Sequence, residues 1–430
     1  MRAKKAALRG GTGRSSQKQG EKVGKKNSMR RKVTRTGMLE KLKKSVPVSE
    51  NREGERARTR QCVRCGLCLA ACPLSGAWPP AGEVATPRGK VAMLQGFLAG
   101  ELVPDTFFAA EFWQRCTLCR ACETACPVGV PVAELVVGAR RWLLEQGKVP
   151  ATAAGALRSL RLYGNPWRRP PAERHAWAAL LGLKDYARGA RAETLLYLGC
   201  LAAYDPRAQR AARALAQLLL AAGVDFAVLG AAEVCCGREA YSLGEEGLFV
   251  WLAEKNLELW RRHGVRRVVT FSPHCYDAFK NLYPPWGEVW HYSDFLAPLV
   301  ENGRLRFAPG PSRRVAYHDP CHLGRHNGVY EAPRALLRQL PGVTLVEVGA
   351  EYGPGVCCEA GGGRMWLPAP AGSRSPAHDL LRRAAALGAE VVAVACPFCL
   401  VSLDGAVQTG QGDLPAVTEL AELLWGALAR

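Results

Sequence analysis

From Glu193 to about residue 420 the apolar positions keep one rhythm. Short apolar runs alternate with longer stretches in which apolar residues recur every three or four positions. The runs Leu195–Leu198, Phe226–Leu229 and Arg267–Phe271 predict strands, and the stretches at about 206–222 and 245–263 predict helices. The plan then starts again, with strands expected at Val315–His318, Val343–Val346 and Val391–Val394. Strands alternating with helices predict an α/β fold with a parallel sheet in each copy.

Upstream the rhythm is helical. Val91–Leu98 and residues 132–146 predict helices. Residues 150–192 are rich in Ala, Arg and Pro, with a turn expected at Gly164-Asn165-Pro166-Trp167. Residues 1–58 carry few apolar residues and cannot bury enough surface to offset their ordering entropy, so disorder is expected there. These changes of pattern divide the chain into a basic tail (1–58), a small helical domain (59–148), a connector (149–192) and two α/β domains (193–305 and 312–425).

Composition adds the chemistry. The 430 residues are 48% hydrophobic and 22% charged, which is globular. No apolar run reaches the ~18 residues of a membrane helix. No hydrophobic leader opens the chain, so a cytoplasmic location is expected, with peripheral membrane contact left open. The formal charge of +20 sits mainly at the start: residues 1–60 hold 20 Lys and Arg against 5 Glu. That tail could meet nucleic acid or an anionic membrane, or resemble a transit peptide. It lacks interleaved aromatics, so a solvated extension is the stronger expectation and no nucleic-acid partner is expected.

The 17 cysteines are far more than packing needs. Cys62-x2-Cys65-x2-Cys68-x3-Cys72-Pro73 is followed by Cys116-x2-Cys119-x2-Cys122-x3-Cys126-Pro127. In this bacterial ferredoxin spacing the fourth cysteine of each run serves the other cluster. Cys62, Cys65, Cys68 and Cys126 are therefore expected to hold one 4Fe–4S cluster, and Cys116, Cys119, Cys122 and Cys72 a second. Zinc fits two identical four-cysteine runs poorly. Arg88, Lys90 and Arg120 could offset cluster charge, against the commoner role of a solvated surface cation.

Each predicted strand of the second half runs toward a cysteine loop. Cys200, Cys235-Cys236 and Cys275 recur as Cys321, Cys357-Cys358 and Cys399, at offsets of 121, 122 and 124. A nearly fixed offset at three anchors is an internal duplication. Loops at one edge of a parallel sheet converge. Cys321, Cys357, Cys358, Cys396 and Cys399 are thus expected at one point, one thiol more than a zinc tetrahedron takes, which favours an iron–sulfur centre. The first copy keeps four thiols: Ser272 stands where the second has Cys396. Ser272 or His274 could add a ligand, although a hydrogen-bonded loop histidine is the stronger expectation for His274. Gly361-Gly362-Gly363 would let the backbone close on whatever is bound.

Residues 62–142 resemble the cluster-binding region of the iron–sulfur subunit of glycolate oxidase. The likeness lies in the two cysteine runs, Pro87-Arg88-Gly89-Lys90, and Cys119-Arg120-Ala121-Cys122-Glu123 leading to Cys126-Pro127-Val128-Gly129-Val130. Residues 193–410 resemble the cysteine-rich CCG domains of the heterodisulfide reductase catalytic subunit. The carrying motifs are Ser272-Pro273-His274-Cys275, His318-Asp319-Pro320-Cys321, Cys358 through Trp366, and Ala395-Cys396-Pro397-Phe398-Cys399. The resemblance implies a helical α+β ferredoxin-like domain followed by duplicated CCG domains. It also implies a non-cubane 4Fe–4S cluster at the five-cysteine site and a flavoprotein partner of the 2-hydroxy-acid oxidase or electron-transferring flavoprotein type. Glu359 departs from it, standing where the family places glycine; its charge beside an anionic cluster should lower the potential, and its Cβ should crowd the turn.

No phosphate-cradling glycine loop follows a strand, so no flavin or nicotinamide site is expected in this chain. The leading expectation is an electron-transfer subunit, with terminal chemistry at Cys357 and Cys358 and the first cysteine-rich site as a relay or second cluster. The alternatives are a stand-alone thiol–disulfide reductase and, from another class, a zinc-bearing nucleic-acid scaffold.

Overall fold

The structure is a computed structural model describing residues 52–75, 77, 82–349, 356–369, 372 and 374–429. The tail expected over 1–58 lies outside the described residues as far as residue 51. Its last part differs from expectation: Arg52–Arg60 is a helix. Glu55 and Thr59, four residues apart on one face, are buried. Glu55 pairs with Arg141, Arg58 pairs with Glu134, and the Thr59 carbonyl accepts from Gln95. The helix docks through polar groups, which an apolar pattern cannot announce.

The small domain expected to hold two clusters (59–148), the dicluster region, is helical, with Pro87–Ala99, Thr106–Gln114 and Val132–Glu145 as its longer helices. Thr86 caps the first of these, accepting from the amide of Gly89, and Pro87 occupies its first turn. Gly89 is required there, since a Cβ would stand 2.0 Å from the Glu83 carbonyl oxygen. The predicted connector is ordered. It carries the helix Ala151–Tyr163, and its Lys184 and Tyr186 exchange backbone hydrogen bonds with Val228.

Two four-stranded sheets follow, both wholly parallel. The first contains β1 (Thr194–Tyr197), β2 (Phe226–Ala227), β3 (Arg267–Thr270) and β4 (Glu288–His291), ordered β2-β1-β3-β4. The second contains β5 (Arg313–His318), β6 (Val343–Glu347), β7 (Val391–Val394) and β8 (Ala416–Glu419), ordered β6-β5-β7-β8. The identical order is the duplication in three dimensions. The edge strands β4 and β8 lead to no cysteine and escaped the sequence pattern.

Alternation along β1 shows how the parts are joined. Leu195 and Tyr197 face a core shared with the dicluster helices, where Phe112, Val136 and Leu143 are buried. Leu196 faces a core shared with the second sheet, where Val392, Leu403 and Leu420 are buried. The first sheet is therefore the middle layer, held on both faces. All the cysteine loops of each copy leave the carboxyl ends of its strands, the edge where open parallel sheets bind ligands.

Candidate metal centres

In the dicluster region Cys62, Cys65, Cys68 and Cys126 line one cavity, with Val91, Val128, Val130 and Val132 among its walls. Cys72, Cys116, Cys119 and Cys122 line a second. Cys126 thus lies beside the first run and Cys72 beside the second, while Cys122 lines both cavities. Both loops turn through left-handed residues: Arg64 and Gly66 in the first, Leu118 and Arg120 in the second. That conformation wraps three thiols round a point, and in three of the four positions it does so without glycine. Cys65 is exposed, whereas Cys119 is buried.

The three cations named from sequence differ in setting. Lys90 is buried, lines the second cavity, and donates to the Ala85 carbonyl at 2.7 Å. Arg88 lines the first cavity and donates to the Arg64 carbonyl. Arg120 lines the second. None is a freely solvated cation. Burial pushes the Cys72, Cys116 and Cys122 thiols up. Apolar chambers where burial penalises thiolates, yet lined by five thiols in the first case and four in the second, suit a cationic metal cluster that would supply the missing charge.

In the second cysteine-rich site Cys321 follows β5, Cys357 and Cys358 follow β6, and Cys396 caps the helix Pro397–Thr409 with Cys399 in its first turn. His318, at the end of β5, has a ring nitrogen within 4.8 Å of both Cys358 Sγ and Cys399 Sγ. Hydrogen bonds from Cys399 and, more weakly, from His318 hold the Cys358 thiol well below its usual range. The sequence pattern gives His318 no role of its own. Its counterpart in the first copy is Tyr197, whose hydroxyl donates to the Val234 carbonyl.

The three glycines have a structural job besides the one expected. A Cβ on Gly361 would stand 2.8 Å from the Thr117 carbonyl oxygen, one on Gly362 2.6 Å from the Thr117 carbonyl carbon, and one on Gly363 2.6 Å from Leu243. They admit the second dicluster loop and the first cysteine-rich domain. The same approach brings Cys119 into electrostatic range of both Cys321 and Cys357, and Cys357 Sγ within 3.8 Å of Thr117 Oγ1. Arg325 donates to the Cys119 carbonyl at 2.7 Å across this joint.

Glu359 is left-handed (φ 67), so the expected crowding is present as backbone strain. Its carboxylate accepts from the Ser375 hydroxyl and from the Ala377 amide at 3.4 Å, at the start of the helix Pro376–Ala386. Burial pushes its pKa up.

The first cysteine-rich site gathers Cys200, Cys235, Cys236 and Cys275 in a continuous chain of thiol contacts. Ser272 caps the following helix, its hydroxyl accepting from the His274 amide at 3.3 Å. His274 faces Glu239 through Nδ1 at 3.3 Å. Sequence reasoning missed Arg174, from the supposed connector, whose Nη1 and Nη2 each lie 3.6 Å from Cys200 Sγ. Arg174 is anchored by the buried Glu233, which also accepts from His175 and from the amides of Leu198 and Gly199. Burial opposes charge on Glu233, but His175 and Arg174 win and hold its pKa down at about 2. No spacing rule links Arg174 to a cysteine 26 residues away.

The rings of Phe398, His274, His322 and His326 stack in sequence, with centroids 4.0, 4.0 and 4.3 Å apart. Phe398 and His274 are counterparts in the duplication, so the stack crosses the junction between the copies.

Comparison with known proteins agrees with this geometry. Residues 58–130 match the 4Fe-4S dicluster domain family, and residues 194–280 and 315–404 each match the cysteine-rich domain family CCG. One subunit of the dihydromethanophenazine:CoB–CoM heterodisulfide reductase of Methanosarcina barkeri is 31% identical over 393 residues, covering 85% of this chain and 93% of that protein. The chain belongs to this heterodisulfide reductase family of iron–sulfur proteins. Within the family it is also similar to the probable iron-sulfur-binding oxidoreductase FadF of Bacillus subtilis, 33% identical over 88% of this chain and 61% of that one. The EtfAB:quinone oxidoreductase of Syntrophomonas wolfei is 34% identical over 85% of this chain and 58% of that one. The chain thus spans about three fifths of the length of these two relatives. Among the described residues, no helix is long and apolar enough to cross a membrane.

Proposed function

We propose that the chain is an iron–sulfur electron-transfer subunit, relaying electrons through two 4Fe–4S clusters of a ferredoxin-type domain to or from a cysteine-rich-domain cluster. Cys62, Cys65, Cys68 and Cys126 would hold one cluster, and Cys116, Cys119, Cys122 and Cys72 the other. Cys321, Cys357, Cys358, Cys396 and Cys399 would hold a non-cubane 4Fe–4S cluster, and Cys200, Cys235, Cys236 and Cys275 a further one. Bound clusters would supply one-electron chemistry at potentials anywhere from roughly −700 to +450 mV.

The observation that carries this reading is the joint at Thr117–Leu118. Gly361 and Gly362 let that loop lie directly on the second cysteine-rich site, so the two groups of thiols share a wall. Cys65 is the exposed thiol of the outer cavity, with Val63 and Leu67 beside it 61% and 56% exposed. That end would meet the partner, a flavoprotein. The two longer relatives favour such a partner, one having EtfAB and quinone in its name and the other being called an oxidoreductase, and they favour a peripheral or quinone-linked assembly. Terminal chemistry would lie at Cys357 and Cys358.

The heterodisulfide reductase relative favours a second reading, in which the chain reduces a disulfide by itself. Anaerobic purification with iron and sulfide counting separates the outcomes for the cofactors. About eight irons would mark the two ferredoxin-type clusters alone, and about twelve or sixteen one or two occupied cysteine-rich sites. Turnover of reduced viologen with disulfides by the single chain would favour the second reading. Turnover only after a reduced flavoprotein is added would favour the first, and a colourless zinc protein would end both.

A further inference from the structure

Arg174 belongs to the stretch between residues 130 and 194, which neither family match covers. It is buried, as are His175 beside it and Glu233 across the site. His175 is left-handed (φ 54), a conformation that a non-glycine residue adopts at a cost. The turn it makes brings two successive side chains onto one carboxylate oxygen. Arg174 Nη2 lies 2.7 Å and His175 Nε2 2.9 Å from Glu233 Oε1. The same oxygen accepts from the Gly199 amide at 3.0 Å, and Glu233 Oε2 accepts from the Leu198 amide at 3.1 Å.

Glu233 thus has three donors besides Arg174, so the guanidinium is not spent on one ion pair. It turns its Nη edge to sulfur as well. Nη1 and Nη2 are each 3.6 Å from Cys200 Sγ, within reach of a hydrogen bond to sulfur. A pair held for structure alone would need only the carboxylate, whereas this rigid fork links a carboxylate and a thiol. The duplicated thiol, Cys321, has instead one ring nitrogen, His322 Nδ1, at 3.3 Å. Cys200 is one of four thiols in mutual contact, the donor set of a metal centre. Adding one electron to a cluster there makes it more negative by one charge, with no bond made or broken. Charge-assisted hydrogen bonds to a ligand sulfur favour the more negative form and raise the potential. The guanidinium also offsets the Glu233 carboxylate, whose charge acts the opposite way.

We propose that Arg174 is a positioning residue of the first cysteine-rich site, forking onto Cys200 Sγ and holding up the potential of the cluster bound there. The proposal rests on the reading of a cluster at Cys200, Cys235, Cys236 and Cys275. The iron-loaded full chain is titrated anaerobically with dithionite and followed by EPR. The first site's signal is the one lost in Cys236→Ser. Arg174→Gln should keep the parent's iron and lower that midpoint by about tenfold or more in the reduction equilibrium, which is about 59 mV for one electron. The other signals should stay in place. Arg174→Lys, which keeps the charge and loses the fork, should fall between variant and parent. An unmoved midpoint in Arg174→Gln of full iron content would overturn the proposal. If that variant loses about four irons, one cluster's worth, Arg174→Lys decides by the same criterion. Loss of iron in both would overturn it too, by making Arg174 a residue of assembly alone. A chain that loses neither iron nor signal in Cys236→Ser holds no cluster at the first site, and the reading fails together with the proposal.

Discussion

Glu359 and Gly237 occupy the same place in the two copies, directly after the paired cysteines, and both are left-handed, with φ of 67 and 83. What differs is the space. A Cβ at Gly237 would stand 2.8 Å from Phe249 Cδ2 and 3.4 Å from the Phe249 carbonyl oxygen, and Phe249 is fully buried. Glu359 instead has room to turn toward Ser375 and Ala377. Gly237→Ala should therefore cost about 2–4 kcal/mol, as overpacking plus left-handed strain. Glu359→Gly should stay within about 1 kcal/mol of the parent, since the strain relieved offsets the hydrogen bonds lost. Urea midpoints of the two iron-loaded variants check this. Equal losses would mean that the two turns are not distinguished by their surroundings. The same pair bears on tuning. Because the Glu359 carboxylate is tied down by Ser375 and Ala377, its replacement should move the potential less than its sequence position implies.

At the scale of elements, one side chain fastens three parts of the molecule. Arg140 projects from the apolar helix Val132–Glu145 and is fully buried. It donates to the carbonyls of Phe112, Trp113 and Cys116 in the dicluster region, of Ser242 in the first cysteine-rich domain, and of Gly362 in the second. Burial lowers its pKa to about 10, with the neighbouring Cys116 opposing the shift, so it stays charged at neutral pH. Arg140→Leu would strand several buried carbonyls and should cost at least about 3 kcal/mol. Hydrogen exchange should then rise at all three contact points together. Exchange confined to the dicluster loop would show that the domains are held by other contacts.

Such joints mark the limit of what the sequence discloses. Periodicity found the six strands that lead to cysteines and the helices on either side, because burial on one face writes itself into the spacing of apolar residues. Cysteine spacing marked the ferredoxin-type region, because three thiols of each run are close in sequence. Arg140, Arg174 and His318 were not legible, because each acts on residues distant in the chain or through a partner that no repeat distance fixes. The helix Arg52–Arg60 hides within the basic tail for a related reason: its docking face is Glu55 and Thr59 rather than apolar residues.

For the whole molecule, the contact between the two copies carries a pH signature. Glu419, at the end of β8, is fully buried and accepts from the Tyr292 hydroxyl of the first copy and from the Ala421 amide. Burial raises its pKa from 4.5 to about 8, against the pull of those hydrogen bonds. A carboxyl that holds its proton more tightly when folded stabilises fully below the unfolded pKa and loses that contribution as pH rises through the folded one. His291, buried nearby in β4, has its pKa lowered from 6.5 to about 3 by burial. Its contribution is present above 6.5 and is lost as pH falls toward 3. Between 4.5 and 6.5 the two slopes oppose each other. Above 6.5 only the Glu419 slope remains, so stability should fall by roughly 1.5 kcal/mol between pH 6.5 and 8 on its account. Glu419→Gln keeps an acceptor for Tyr292 but removes the titration. The difference between the urea stabilities of variant and parent should therefore grow in the variant's favour across that window. If it stayed constant, Glu419 would be ionised in the folded protein already at the lower end of the window, and the junction between the copies would be insensitive to pH in this range.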